Sequence, residues 1–220
     1  MTTLQLCDNS FPSLQLQDTA EKALQVMNDC RVSYLPVVSE DKFLGLVNEA
    51  DLEEEENKQT TLESFQNDLI PASVNAGFHF LKAAYIFNLY QTGMVPVVGE
   101  NNELLGTISP TALINALGTF CGSPGNGALV VLEIERTRFT ISEINSIVES
   151  DGATLLHLNV SSLPDPHLLE VTLQINKKEI STIIATFERY EYSVSYYSGE
   201  ELFENEINTN YHNLMNYLDI

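Results

Sequence analysis

The chain has 220 residues, 44% of them hydrophobic, which is enough for one large or two small domains with buried cores and too apolar for wholesale disorder. Its 31 acidic against 10 basic residues leave a formal net charge of −21, and so acidic a surface repels phosphate backbones and excludes nucleic acid as a partner. Cys7, Cys30 and Cys121 are odd in number, far apart and outside any CxxC spacing, so they read as reduced thiols of a cytoplasmic protein rather than as a disulfide framework.

Met1-Thr2-Thr3-Leu4 lacks the basic segment and apolar run of a signal peptide. No stretch approaches the roughly 18 apolar residues that span a bilayer, so no membrane partner is expected. Asp18 or Thr19 is placed to cap a helix running through Asp29, with Glu21 close to the capping-box position and Ala20, Ala23, Leu24 and Met27 on its apolar face. Residues 33–38 form a β-branched strand, Glu40-Asp41-Lys42 a turn, residues 43–47 a second strand, and residues 50–56 open a closing helix.

The same pattern then returns about sixty residues later. Tyr34-Leu35-Pro36-Val37-Val38 reappears as Met94-Val95-Pro96-Val97-Val98, and Phe43-Leu44-Gly45-Leu46-Val47 as Leu104-Leu105-Gly106-Thr107-Ile108. Phe80, Ala83, Ala84 and Phe87 repeat the apolar helical face, residues 99–102 the turn, and Pro110 stands where the first turn of a helix tolerates proline. A repeat of this period marks two copies of one supersecondary unit, each too small to be stable alone, sharing a core at residues 8–56 and 68–118.

Residues 118–127 hold four glycines and a proline, so residues 119–127 read as a linker. Beyond it the spacing predicts a strand at 128–135, a helix bearing Ile141, Ile144, Ile147 and Val148 ended by Asp151-Gly152, and a strand at 154–160. Leu163-Pro164-Asp165-Pro166 then turns the chain into the alternating Leu169, Val171, Leu173 and Ile175. Ile180, Ile183, Ile184 and Phe187 mark a second helix, and Tyr192, Val194 and Tyr196 a last strand. The order over 128–198 is βαββαβ, the ferredoxin-like arrangement. An acidic tail at 199–220 carries Tyr211, Leu214, Met215 and Leu218 at the spacing of a short amphipathic helix. The expected fold class is α/β plus α+β.

The doubled unit resembles the CBS-domain pair, through its hydrophobic-Pro-Val-Val strands (35–38 and 95–98) and the Gly-hydrophobic-hydrophobic segments that follow (45–47 and 106–108). The βαββαβ unit resembles an ACT-type ligand-binding domain, and a CBS pair followed by such a domain is similar to the acetoin-utilisation regulatory family. The resemblance implies a homodimer with a small-molecule effector and a protein partner. It also implies a motif, Gly-x-x-Thr/Ser-x-x-Asp, whose hydroxyl lies near phosphate and whose carboxylate accepts bonds from both ribose hydroxyls. A carboxylate suits a sugar diol because it is an acceptor-only fork.

Copy one carries Gly45 to Asp51 with Asn48 in the hydroxyl position; copy two keeps Ser109 but has Ala112 in place of the acid. The resemblance therefore implies one adenosine-type ligand, a bound adenine nucleotide, with Asp51 on the ribose. Tyr34, Leu35 and Pro36 would line the base pocket, with Val95, Pro96, Asn48 and Ser109 as further ligand-binding residues. The alternative is that Asp51 only favours the start of its helix. Against phosphates stand Glu49 and Glu53, with Arg31, Lys42, Lys58 and Lys82 the bases nearby.

In amino-acid-binding ACT domains a glycine sits between the first strand and helix. Here the junction holds Arg136, Arg138 and Phe139, which either receive a small anion or pair on the surface with Phe139 filling the ligand space. Glu53 to Glu56 point to different faces of a helix and cannot share a metal ion. His79, His157, His167 and His212 have no ligand spacing with each other or with cysteine, and no nucleophile or phosphate-loop motif is present, so no metal and no catalytic residue is expected. The chain reads as a non-catalytic regulatory protein sensing a small metabolite. One alternative is an interaction or assembly protein with vestigial pockets; another is an amino-acid or small-anion sensor acting through the ACT-like unit.

Overall fold

Thr19 holds extended dihedrals and its hydroxyl accepts the Lys22 N–H at 3.3 Å, so helix α1 (Ala20–Cys30) begins one residue later, in the computed structural model, which describes residues 1–122 and 127–198. Asp18 does not cap the helix; its carboxylate accepts the Gln15 N–H and the Lys22 ammonium. The buried Ala20, Ala23 and Met27 face strands β2 (Tyr34–Ser39) and β3 (Lys42–Asn48), which pair antiparallel. Glu40 and Asp41 take φ of 48° and 64°, the double positive required by a two-residue hairpin turn that follows strand twist. Helix α2 (Glu49–Glu54) starts one residue earlier and ends two earlier than the sequence pattern indicates. Asn48 caps it by accepting the Ala50 N–H, and the Lys58 ammonium closes it by donating to the carbonyls of Leu52, Glu53 and Glu55.

The second repeat follows suit with α3 (Leu81–Tyr90), β5 (Val95–Val98), β6 (Leu104–Ile108) and α4 (Pro110–Phe120). Each repeat also gains a two-residue strand that the spacing did not indicate, β1 (Leu14–Gln15) and β4 (Val74–Asn75). Each lies parallel to the Pro-Val-Val strand of its own sheet.

The repeats are joined crosswise. The chain leading into repeat one pairs with repeat two, where Asp8, the first residue of repeat one, and Thr107 exchange both backbone hydrogen bonds and Thr3 and Leu4 donate to the carbonyls of Phe78 and Ala76. The opening residues of repeat two pair with repeat one, where Ile70 and Leu46 exchange both bonds. The hairpin tips also join reciprocally: Phe43 N–H donates to the Asn102 carbonyl and Leu104 N–H to that of Asp41. This crossing explains the repeated glycine. A Cβ on Gly45 would sit 2.6 Å from the Leu69 Cβ, and one on Gly106 would sit 2.5 Å from the Asp8 carbonyl oxygen, with φ at 151° besides.

The chain divides into two compact units after Gly118. Helix α4 continues through that glycine to Phe120 rather than stopping at it, so Thr119 and Phe120 are helical and not linker residues. The rest of the expected linker falls partly on residues 123–126, and the expected tail helix wholly on residues 199–220, both outside the described residues.

The second unit runs β7 (Ala128–Glu135), α5 (Ile141–Ser150), β8 (Leu155–Ser162), β9 (Leu168–Ile175), α6 (Ser181–Arg189) and β10 (Ser193–Ser198). Its strands form one antiparallel sheet in the order β10-β7-β9-β8. The alternating Val130, Leu132 and Ile134 of β7 and Val171, Leu173 of β9 meet Ile144, Ile147, Ile183 and Phe187 of the two helices in one core.

Thr107 stands where repeat one has the fully buried Leu46, and its hydroxyl is buried without a hydrogen-bond partner among the described residues. Thr107→Val is expected to stabilise the protein by about 1 kcal/mol, since an unsatisfied buried hydroxyl costs that order. Gly45→Ala is expected to destabilise it by about 1–3 kcal/mol through overpacking. Urea denaturation of the two variants checks both signs.

Candidate functional site

Helices α1 and α3 end alike. Arg31 and Gln91 stand at equivalent places with left-handed backbones, φ 56° and 55°, each turning its N–H back to a carbonyl of the last helical turn. The two following segments, 31–34 and 91–94, flank a cleft of about 690 Å³ between the repeats. Phe11, Phe87, Asn88 and Pro110 complete its lining. A Cβ on Gly93 would lie 3.5 Å from the Tyr34 ring, so the two repeats meet at that point. The Thr92 hydroxyl is buried and donates to the Met94 carbonyl at 2.8 Å, which fixes the loop of repeat two.

The cleft's electrostatics differ from those of the rest of the surface. Its lining includes Arg31 and no carboxylate, in a chain of net charge −21. Each of the other bases in this unit is engaged elsewhere. Lys22 pairs with Asp18 at 2.6 Å, and Lys58 closes α2. Lys42 donates to the Asn101 carbonyl, and Lys82 lies 4.6 Å from the centre of the Tyr85 ring. Arg31 makes no ion pair with a described residue. Aromatic rings, amides and one guanidinium can receive a planar ligand that carries an anionic group.

The structure distributes the sequence-predicted ligand residues unevenly. Tyr34 is half-buried on the cleft wall. Asn48 is its register partner across β2 and β3, and the Glu49 N–H donates to the Ser33 carbonyl, so the start of α2 lies beside the cleft. Leu35 and Val95 are fully buried, and Pro36 and Pro96 are buried in their strands, so these four form core behind the cleft rather than its surface. Asn48 and Ser109 do matching structural work, each accepting a backbone N–H of the helix it precedes. Asp51 is exposed in the first turn of α2 and does not line the cleft. The sequence pattern did not single out Phe11 or Thr92, placed Phe87 only on an apolar helical face, and named Arg31 only as a nearby base. The matching positions of Arg31 and Gln91 in the repeat were the available signal.

In the second unit the two arginines diverge. Arg136 bonds the carbonyls of His167 and Pro166 and the Ser162 hydroxyl at the β8–β9 turn. Arg138 bonds the Tyr190 carbonyl and pairs with Glu191 at the end of α6. Phe139 packs against the core. The small cavity beside Arg138, about 210 Å³, is also lined by Glu133, Glu135 and Glu191, which disfavours an anion. Among the described residues no three metal-ligating side chains gather, and no helix is long and apolar enough to cross a membrane.

The family model described as CBS domain matches residues 5–56. The chain carries a CBS domain there. Among solved structures, a CBS domain pair/ACT domain protein from Thermotoga maritima is similar at 22% identity with a TM-score of 0.50, over 55% of this chain and 98% of that one. CBS domains of a transcriptional regulator from Streptococcus pneumoniae follow at 21% and 0.47, over 52% and 98%. A protein named for acetoin utilization, from Vibrio cholerae, matches at 20% and 0.46, over 55% and 92%. The likeness to the Thermotoga protein is one of fold.

The Tyr192 hydroxyl of the second unit donates to the Glu143 carboxylate, and burial, then that bond and its charge, push it up to about 12. A raised acid in the folded state keeps its proton longer than in the unfolded chain. Its stabilisation is complete below about pH 10, the ordinary tyrosine value, and is lost as pH rises through 12. An ultraviolet titration is expected to show a late tyrosine step toward pH 12, and Tyr192→Phe to remove it. An unchanged titration in the variant contradicts the assignment.

Proposed function

We propose that residues 1–118 form a CBS pair that binds a small adenosine-type metabolite in the cleft between its repeats and passes the bound state to a partner, without catalysing a reaction. The observation that carries this reading is the cleft itself: Tyr34, Phe11 and Phe87 beside Arg31, with no carboxylate in the lining. The aromatic rings offer stacking area for a base, and the guanidinium offers a fork for phosphate or carboxylate. Asp51, one turn into a helix whose first N–H is tied to the cleft wall, is the nearby acceptor for a ribose diol. The βαββαβ order with strands β10-β7-β9-β8 supports a ferredoxin-like, ACT-type second unit that serves the sensor as a partner rather than as a site. The acidic composition and unpaired cysteines support a cytoplasmic setting.

Titration calorimetry with AMP, ADP, ATP and S-adenosylmethionine tests the reading. Binding of at least one is expected, weakened about tenfold or more in Tyr34→Ala through lost stacking. No heat with any of the four contradicts it. Unchanged affinity in Asp51→Ala would remove Asp51 from the ribose while leaving the cleft in place.

A second reading, association through this unit, has its own observation. Helix α3 leaves Leu81, Tyr85 and Leu89 exposed at successive turns, with Phe78 just before it. An apolar stripe of this kind favours a second copy packed on the same face, giving a homodimer. Light scattering is expected to report a dimer for the protein and a monomer for Leu89→Glu; a monomeric protein contradicts this reading.

A further inference from the structure

Resting on the adenosine-type reading of the cleft, we propose that it selects by phosphate number, accepting a nucleoside monophosphate and rejecting the triphosphate. The first support is the count of cations at the cleft. The equivalent position to Arg31 on the opposite wall is Gln91, with the same left-handed backbone, so one wall offers a guanidinium and the other a neutral amide. One guanidinium matches one phosphate, taking two of its oxygens through the planar fork.

The second support is that several backbone donors beside the cleft are already engaged. Helix N-termini would ordinarily supply free N–H groups there. At α2 the Glu49 N–H is taken by the Ser33 carbonyl and that of Ala50 by the Asn48 side chain. At α4 Pro110 has no N–H, and the Ala112 N–H is taken by the Ser109 hydroxyl.

The third support is repulsion. Helix α2, tied to the cleft wall through Ser33, carries Glu49, Asp51, Glu53 and Glu54 among its six residues. Like charges on a helix tied to the cleft wall disfavour further phosphates, an effect that salt screens over about 8 Å. A monophosphate leaves one dianion on one guanidinium, whereas a triphosphate adds charge with no further cation to receive it.

Calorimetry with adenosine, AMP and ATP, in excess EDTA to hold the ligand charges fixed, tests this. AMP is expected to bind at least tenfold more tightly than ATP. Arg31→Gln is expected to lower AMP affinity about ten- to a hundredfold, the range of a charge-assisted bond, and adenosine affinity far less. The variant is structurally mild because glutamine already holds that backbone conformation at Gln91. ATP binding as tightly as AMP, or AMP affinity unmoved in Arg31→Gln, overturns phosphate selection while leaving the adenosine site standing. Failure of all three ligands to bind overturns the functional reading and this inference together.

Discussion

Reciprocal pairing across the two repeats is the constraint on which the first unit depends. Neither repeat completes its own sheet edge: the Asp8 backbone completes repeat two, and the Ile70 backbone completes repeat one. Both crossings pass over a glycine that cannot carry a side chain without collision. The hairpin tips lock the same relation a second time through Phe43 and Leu104. The buried members of these pairs, Leu46, Thr107 and Phe43, would otherwise leave backbone groups without partners, so the two copies are held as one body.

The cleft follows from that constraint. Crossing brings the C-terminal ends of α1 and α3 to opposite walls, where duplication supplies like backbones and divergence supplies unlike side chains. Arg31 and Gln91 are the clearest case, because one geometry presents a cation and the other an amide. The protein's large negative charge sharpens this difference, since a guanidinium without an ion pair to a described residue is a scarce feature in a chain with 10 bases and 31 acids.

The repeat was legible because Pro, Gly and β-branched residues mark strands and turns by local rules. The βαββαβ order of the second unit was legible for the same reason, with alternation in β9 and helical spacing in α5 and α6. The two-residue β1 and β4 were not, because two residues carry no period and their pairing is non-local. At the site the difficulty was different. Asn48 and Ser109 fit a ligand motif, yet the same chemistry makes them helix caps, and a sequence cannot separate those uses. Arg31 stands apart because Lys42 bonds Asn101, 59 residues away, and Lys58 bonds three carbonyls, engagements that local spacing does not reveal. Likewise, Arg136 and Arg138 are two apart in sequence, but different distant segments engage them, Pro166 and Tyr190.

The central claim is that a ligand is held between the walls contributed by both repeats. Hydrogen exchange of the backbone amides, with and without saturating AMP, tests it most directly. The account predicts slowed exchange in both 31–34 and 91–94, with the second unit unchanged. Protection confined to one wall, or appearing only in the second unit, would contradict it.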